Sequence, residues 1–318
     1  MSWIIREFLA ALLTWVLALS CLLLLPPNTS RSFSISDPSI GFPLKPNTIN
    51  DGPMALLSIL FPIVCILVAE SLLPTRRLGN VSYVSRAAPL VLGLLMATAQ
   101  TEFVTDIVKA FVGEHRPDFL ARCQPVLDQA SGEYVCTGPK KLVADGFKSF
   151  PSGHASLMTS GILFLTLYLR RVLLSPPQPI LGTGLSLMVA HLPMVAAFLM
   201  SGTRIADNRH DWWDVSAGTL LGIACTWAVF PSYARIARLN ETQAPEPSSI
   251  AAACSAAPPS AQRLSYHQRQ RTSDVDAWRR DSAVVVNKDD LIELRKEATA
   301  SDVGEGVAVR RKKKGTGR

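Results

Sequence analysis

Ala87-Ala-Pro-Leu-Val-Leu-Gly-Leu-Leu-Met-Ala-Thr-Ala-Gln-Thr-Glu-Phe-Val-Thr-Asp-Ile-Val108 is the stretch that decides the fold class of this chain. A bilayer core about 30 Å thick needs ~20 apolar residues for one helical crossing, and this stretch meets that length. Five others approach or meet it: Phe8–Leu25, Pro53–Leu73, Ala155–Leu174, Ile180–Met200 and Val215–Tyr233. Together the six occupy most of residues 8–233. A chain of 318 residues that is 48% hydrophobic, with mean hydropathy +0.23, does not read as a water-soluble domain. Backbone embedded in lipid must satisfy its own hydrogen bonds, so the segments are helices unless they close a barrel. Their unbroken apolar runs lack the alternation that barrel strands require. The expected fold is therefore all-α, a polytopic six-transmembrane-helix bundle. Pro62 and Pro193 fall inside spans and are expected to kink them locally.

The apolar run of the first span is longer than that of a secretory signal, and no small-x-small cleavage site follows Leu25, so it reads as a retained anchor. Arg76, Arg77 and Arg86 read as the connection between spans two and three, and Arg170 and Arg171 as the one between four and five. The positive-inside rule makes both connections cytoplasmic, together with the C-terminal tail. The loop over residues 26–52 then lies outside with only Arg31 and Lys45, as do the loops after spans three and five. Those last two loops are basic as well, against the rule.

Residues 1–239 read as one membrane domain. From residue 240 the composition shifts: Glu241 through Gln262 is rich in Ala, Pro and Ser, and charged residues follow up to Arg310-Arg311-Lys312-Lys313-Lys314. Residues 240–318 read as a mostly disordered basic tail with one short helix over Asp289–Ala298. The spans exclude nuclear localisation as the meaning of the basic cluster, and no nucleic-acid partner is expected. The sequence assigns no oligomeric state. Cys21, Cys65 and Cys225 lie in or near spans. Cys123 and Cys136 share one outer loop, where the compartment permits a disulfide without requiring it. No cysteine pair has zinc-ligand spacing. The sequon at Asn28 lies close to the end of span one, while those at Asn80 and Asn240 fall on the cytoplasmic side.

Three polar stretches stand at span mouths: Lys109 through Arg116-Pro117, Pro151-Ser-Gly-His154, and Thr203-Arg204 with His210 and Asp214. Alternating topology puts all of them on one side. Ser152 is a good helix N-cap, and Gly153 lets an anion approach the free N–H groups of the first turn of span four. His210 and Asp214 are spaced i, i+4; a helical entry to span six would make them neighbours, the carboxylate orienting the imidazole. Asp207 and Asp211 are competing acids nearby. Lys109, Arg116 and Arg204 supply cations that suit phosphate oxygens. No carboxylate cluster suited to magnesium or zinc accompanies them, so no metal and no cofactor is expected. Intramembrane acids are functional candidates by default; Glu70, Glu102 and Asp106 are such residues, with Asp106 expected to pair with Lys109.

Lys109-Ala-Phe-Val-Gly-Glu-His-Arg116-Pro117, Pro151-Ser-Gly-His154 and Thr203-Arg204-x5-His210-x3-Asp214 together resemble the three-part signature of the type 2 phosphatidic acid phosphatase superfamily, the lipid phosphate phosphatases. The extended wording around Arg116–Pro125 and Asp145–Ser156 is most similar to fungal and plant diacylglycerol pyrophosphate and phosphatidate phosphatases. The resemblance covers about residues 50–230. It implies metal-independent hydrolysis of phosphatidate, lysophosphatidate or diacylglycerol pyrophosphate at the lumenal or extracytoplasmic face of an endomembrane or the plasma membrane. It implies that His210 attacks phosphorus to form a phosphohistidine, that Asp214 orients His210, and that His154 serves the leaving group and then water. Lys109, Arg116, Ser152, Gly153 and Arg204 would hold the phosphoryl oxygens. Polyprenyl or dolichyl pyrophosphate hydrolysis, head-group transfer and a non-catalytic lipid-binding scaffold are the alternative readings. Glu114, Asp211 and Thr203 depart from the more usual Arg, His and Ser, and Glu114 sets an acid near an anionic substrate.

Overall fold

The computed structural model describes residues 2–72, 82–174 and 181–242. The compact unit is Met1–Glu246; the unit Pro247–Arg318 lies outside the described residues, as do Arg76, Arg77, Asn80 and the Asp289–Ala298 segment. Six helices are long and apolar enough to cross a membrane: Trp3–Leu24, Asp51–Leu72, Tyr83–Val112, Gly153–Leu173, Thr183–Ala206 and Trp212–Asn240. We call them spans one to six. The expected segments coincide with these helices, which mostly extend past the apolar runs: span three starts at Tyr83 rather than Ala87, and helix six continues to Thr242. Polar residues at the ends find partners inside the bundle, so the helices do not stop where the apolar run stops.

Span three is the axial helix. It packs against spans one, two, four and six, and span four packs in turn against five and six. The core between spans two, three, four and six holds Ile66, Leu90, Leu94, Phe164, Tyr168 and Tyr233. Span one is peripheral, and Phe8, Leu12, Val16 and Leu23 on it are exposed, as apolar residues are on a lipid-facing surface.

Arg86 departs from its expected place. It lies inside span three, buried, and not in the connection between spans two and three. Its Nη2 donates to the Glu70 carbonyl at 3.1 Å, its Nε stands 3.6 Å from Glu70 Oε2, and Tyr168 donates to Glu70 Oε1 at 2.9 Å. Glu70 and Arg86 thus form a buried ion pair at the end of the bundle remote from the three motifs, which is a structural role for Glu70.

Pro62 is accommodated by a wide turn over Leu56–Leu60, closed by the Phe61 N–H donating to Leu56 O. The Ser58 carbonyl lies against Gly161 of span four, where a Cβ would come within 1.7 Å of it. Spans four and six make a similar contact. A Cβ on Gly218 would stand 2.4 Å from Ser152 O, and one on Gly222 would stand 2.4 Å from Ser156 O. Small residues let the two backbones meet closely, and the meeting brings Ser152 N within 3.0 Å of Asp214 O. We expect Gly218→Val to separate these two helix mouths and lower the rate of substrate turnover by ~10²-fold, the scale of an ångström-sized misplacement; turnover in membranes, compared with protein retained after gel filtration, checks it.

The loop between spans three and four carries short helices at Phe119–Cys123 and Lys140–Asp145 and an antiparallel hairpin. Strand β1 is Pro125–Leu127 and β2 is Tyr134–Cys136. This hairpin is the one addition to the expected all-α fold among the described residues. Cys123 and Cys136 form a disulfide, so the pairing that the sequence permitted is present. The loop after span one folds back over the same rim: Asn28 N donates to Ala110 O, Phe42 N to Pro117 O and Lys45 Nζ to Ala206 O. The side chain of Asn28 caps Ser30.

Candidate active site

All three motifs reach one end of the bundle. His154, His210, Lys109, Arg116, Arg204 and Gly153 line a single cavity of about 430 Å³. Span three ends there because Gly113 adopts a left-handed conformation, φ 60°, with its N–H on Lys109 O. A side chain at Gly113 would also strike the Asn28 carbonyl, 2.1 Å from the position of its Cβ. Lys109 Nζ donates to the carbonyls of Pro151, at 2.5 Å, and Lys148, at 3.3 Å. The expected Asp106–Lys109 ion pair does not form, because the backbone before span four takes the ammonium instead; Asp106 Oδ2 is buried without a hydrogen-bond partner. A Cβ added at Gly153 would lie 3.9 Å from Lys109 Nζ, so the amide and the ammonium border the same space.

Arg116 is held by a network that the sequence reading missed. Its Nη2 donates to Asp145 Oδ1 at 3.0 Å. Asp145 also accepts from Arg122 at 2.7 Å, and Arg122 grips Asp118 through two donors at 2.6 and 2.9 Å. Arg209 joins through Asp118 at 3.3 Å. Burial works to raise the pKa of Asp145, but Arg116 and Arg122 outweigh it and hold it below the usual carboxylate range. Arg122 and Asp118 are wholly buried, and their i, i+4 spacing was the legible signal. Arg209 and Lys148 add two cations to the cavity wall that the motifs alone did not single out, while Asp145, Asp51, Glu102 and Asp106 are its acids.

Arg204 closes the opposite wall. Its Nη2 donates to Asp207 Oδ2 at 3.0 Å and to Thr203 Oγ1 at 3.0 Å. Asp207 accepts twice from Thr48, at 2.6 and 2.8 Å. It is therefore committed to Arg204 and the first loop, and is not a rival partner for His210. The chain then turns around the end of span five, with Arg209 N and His210 N both reaching Arg204 O.

His210 precedes the helix, which begins at Trp212. The expected helical register is thus not what joins it to Asp214. Asp214 turns back from the first helical turn: its Oδ2 stands 3.6 Å from His210 Nδ1, accepts the Asp211 N–H at 2.9 Å, and accepts Ser149 Oγ at 2.5 Å. With Nδ1 facing the carboxylate, Nε2 is the atom left for the cavity. Burial depresses the imidazole pKa far below its ordinary value; Asp214 opposes this, and Lys109 and Arg116 reinforce it. The ring is therefore neutral and carries a lone pair at ordinary pH. The direction follows from burial: protonation removes that lone pair only well below the ordinary imidazole range, not through 6.5. We expect kcat/KM, corrected for substrate ionisation, to show no acidic limb near pH 6.5 from His210.

Ser152 and Asp214 stand behind the cavity wall rather than in it. Ser152 occupies the N-cap position, but its hydroxyl makes no capping bond and is buried without a partner. His154 lies in the first turn of span four with Nε2 3.5 Å from Asp51 Oδ1. Asp51, at the start of span two, was not singled out from sequence. Glu114 pairs with Arg31 of the first loop. His115, the remaining histidine of the first motif, packs among Phe33, Phe119 and Phe147.

Residues 90–238 match the family model described as the PAP2 superfamily. The chain is 37% identical over 202 residues to diacylglycerol pyrophosphate phosphatase 1 of Saccharomyces cerevisiae, covering 60% of this chain and 67% of that protein. It is 32% identical over 214 residues to phospholipid phosphatase 2 of Rattus norvegicus, covering 64% and 76%.

This chain belongs to the PAP2 superfamily.

It is also 34% identical over 198 residues to lipid phosphate phosphatase 2 of Arabidopsis thaliana, covering 60% of this chain and 65% of the plant protein. The chain thus spans about two thirds of the length of its yeast and plant PAP2 relatives. No solved structure matches it significantly. The matched region contains all three polar stretches and four of the six spans, three to six, so the PAP2 assignment and the polar wall of the cavity rest on the same residues.

Proposed function

We propose that this integral membrane protein is a phosphatase of lipid phosphate monoesters and pyrophosphates, acting on phosphatidate, lysophosphatidate or diacylglycerol pyrophosphate. One observation carries the reading: a single cavity joins the histidines and cations to an apolar wall. Trp15, Leu19 and Leu22 of span one and Met54 and Ile59 of span two line the same space as His154, His210 and Arg204. A head group can reach the cations while its acyl chains stay against hydrocarbon.

The chemistry follows from the placement. Nε2 of neutral His210 attacks phosphorus, and the bond from phosphorus to the leaving oxygen breaks. Protonated His154 gives its proton to that oxygen, releasing diacylglycerol, monoacylglycerol or a lipid monophosphate according to the substrate. Neutral His154 then takes a proton from water; the water oxygen attacks phosphorus, the phosphorus–nitrogen bond breaks, and inorganic phosphate leaves. Lys109, Arg116 and Arg204 spread over the equatorial oxygens, where charge is borne in phosphoryl transfer. The Gly153 amide stands at a helix N-terminus, a natural anion site. Ser152, with its buried unpaired hydroxyl, would turn to the phosphate. Asp51 would steady the imidazolium form of His154.

The catalytic rim faces the lumen or the extracytoplasmic side in this reading, and the tail the cytoplasm. The Cys123–Cys136 disulfide at the rim and Arg170 and Arg171 at the far end of span four support it. Phosphate release from a lipid panel in EDTA, with a water-soluble phosphate ester as control, tests the whole. Release from the lipids by the wild type and not by His210→Ala is the expected result. Equal release by both proteins, or preference for the soluble ester, would end the proposal; loss of wild-type activity in EDTA would end its metal-independent form.

A further inference from the structure

The end of the bundle remote from the rim carries a second charged cavity that the reaction does not use. It measures about 570 Å³ and is bounded by Arg170 and Arg171 of span four and by Arg235 and Arg238 of helix six. Among the described residues its lining contains no acid. Leu167, Trp227 and Phe230 form its apolar floor. Arg171 Nη1 donates to the Ala234 carbonyl at 3.2 Å and so ties the two helices together at this level. Arg170, Arg235 and Arg238 are exposed, and enter no ion pair among the described residues.

The simplest account of arginines at a membrane edge is that each snorkels alone, or answers a helix dipole. It serves for Arg170 and Arg171, which stand in the last turn of span four. The dipole part of that account does not serve for Arg235 and Arg238, because helix six runs on to Thr242 and has no basic residue in its last turn. The spacing of Trp227, Pro231, Ala234 and Arg238 repeats the helical period, so one face of helix six carries floor and charge together. Leu167, Arg170, Arg171 and Leu174 do the same on span four. Two helix faces thus bring Arg170, Arg235 and Arg238 over one apolar bed, with Arg171 tying the two helices together beneath them.

We propose that this cavity binds the head group of a polyanionic phospholipid from the leaflet opposite the catalytic rim. Even without Arg171, the three exposed guanidiniums exceed what a phosphodiester with one charge needs, whereas two or more phosphates can take several bidentate forks. Trp227, 57% exposed beside them, is a residue that membrane interfaces favour. The floor gives the acyl chains a place, which a soluble phosphate would leave empty. The site is independent of the reaction proposed above and can be tested without it.

The test uses the full chain carrying His210→Ala, in detergent, with retained lipid read by native mass spectrometry. The probes are bisphosphorylated phosphatidylinositol and phosphatidylcholine. The expected result is selective retention of the inositol lipid, lost about tenfold or more when Arg170, Arg235 and Arg238 are all replaced by Gln, and intermediate when they are replaced by Lys. Arg204→Gln, at the catalytic rim, should leave retention unchanged. Equal retention of phosphatidylcholine would overturn the proposal, as would loss with Arg204→Gln but not with the triple variant. Equally potent competition by soluble inositol trisphosphate would overturn the assignment to a lipid. Matching gel-filtration profiles for the Gln and Lys variants separate loss of the site from loss of the fold.

Discussion

His210→Ala is expected to abolish phosphate release, by ~10³-fold or more, and to leave no phosphoenzyme when a radiolabelled substrate is quenched in base. The structure supplies the reason. His210 is buried, neutral and turned so that Nδ1 faces Asp214, and no other imidazole among the described residues shares that carboxylate. In the proposed mechanism the substitution removes the nucleophile and with it the first bond-forming step, and neighbouring members of a catalytic unit cannot compensate. His154→Ala should behave differently. With a substrate whose leaving group needs no proton, the phosphoenzyme should form and then persist, because nothing remains to activate water. Phosphoenzyme in His210→Ala, or none in His154→Ala with such a substrate, would reverse the two roles.

Asp214→Asn should cost ~10²- to 10⁴-fold in kcat with little change in KM, the range seen when an orienting carboxylate becomes an amide that stabilises the wrong tautomer. The carboxylate has three neighbours and only one is the histidine. Ser149 Oγ at 2.5 Å and the Asp211 N–H at 2.9 Å hold Oδ2 in place. Ser149→Ala removes one of these holds without touching the charge, so a loss of ~10-fold is expected, on the scale of one hydrogen bond to an ionised group. Far-ultraviolet dichroism and stability should be near wild type for Ser149→Ala. If both substitutions left kcat unchanged, the 3.6 Å approach between His210 and Asp214 would have no catalytic meaning.

The bundle was legible because lipid imposes a length and a composition. Each of the six apolar runs had to be a helix, and alternation of sides then carried Lys109, His154, Arg204 and His210 to one rim without further information. The motif residues were legible because their types suit one anion. What misled was locality. Asp106 and Lys109 are close in sequence, yet the ammonium goes to carbonyls of a loop some forty residues later, which packing brings to the end of span three. Arg86 looked like a loop charge and is a buried partner of Glu70, because span three begins earlier than its apolar run. His210 and Asp214 meet across a bend, not along a helix.

By itself the sequence determined the six crossings, the common rim and the set of side chains able to handle phosphate, since each follows from solvent, length and side-chain chemistry. Only the tertiary structure decided which groups hold those side chains still. Asp145 and Arg122 brace Arg116, Thr48 and Asp207 brace Arg204, Ser149 braces Asp214, and Gly218 admits one helix mouth to the other. Most of these partners lie far apart along the chain, and their meeting depends on how closely particular backbones pack, which no local pattern of residues encodes.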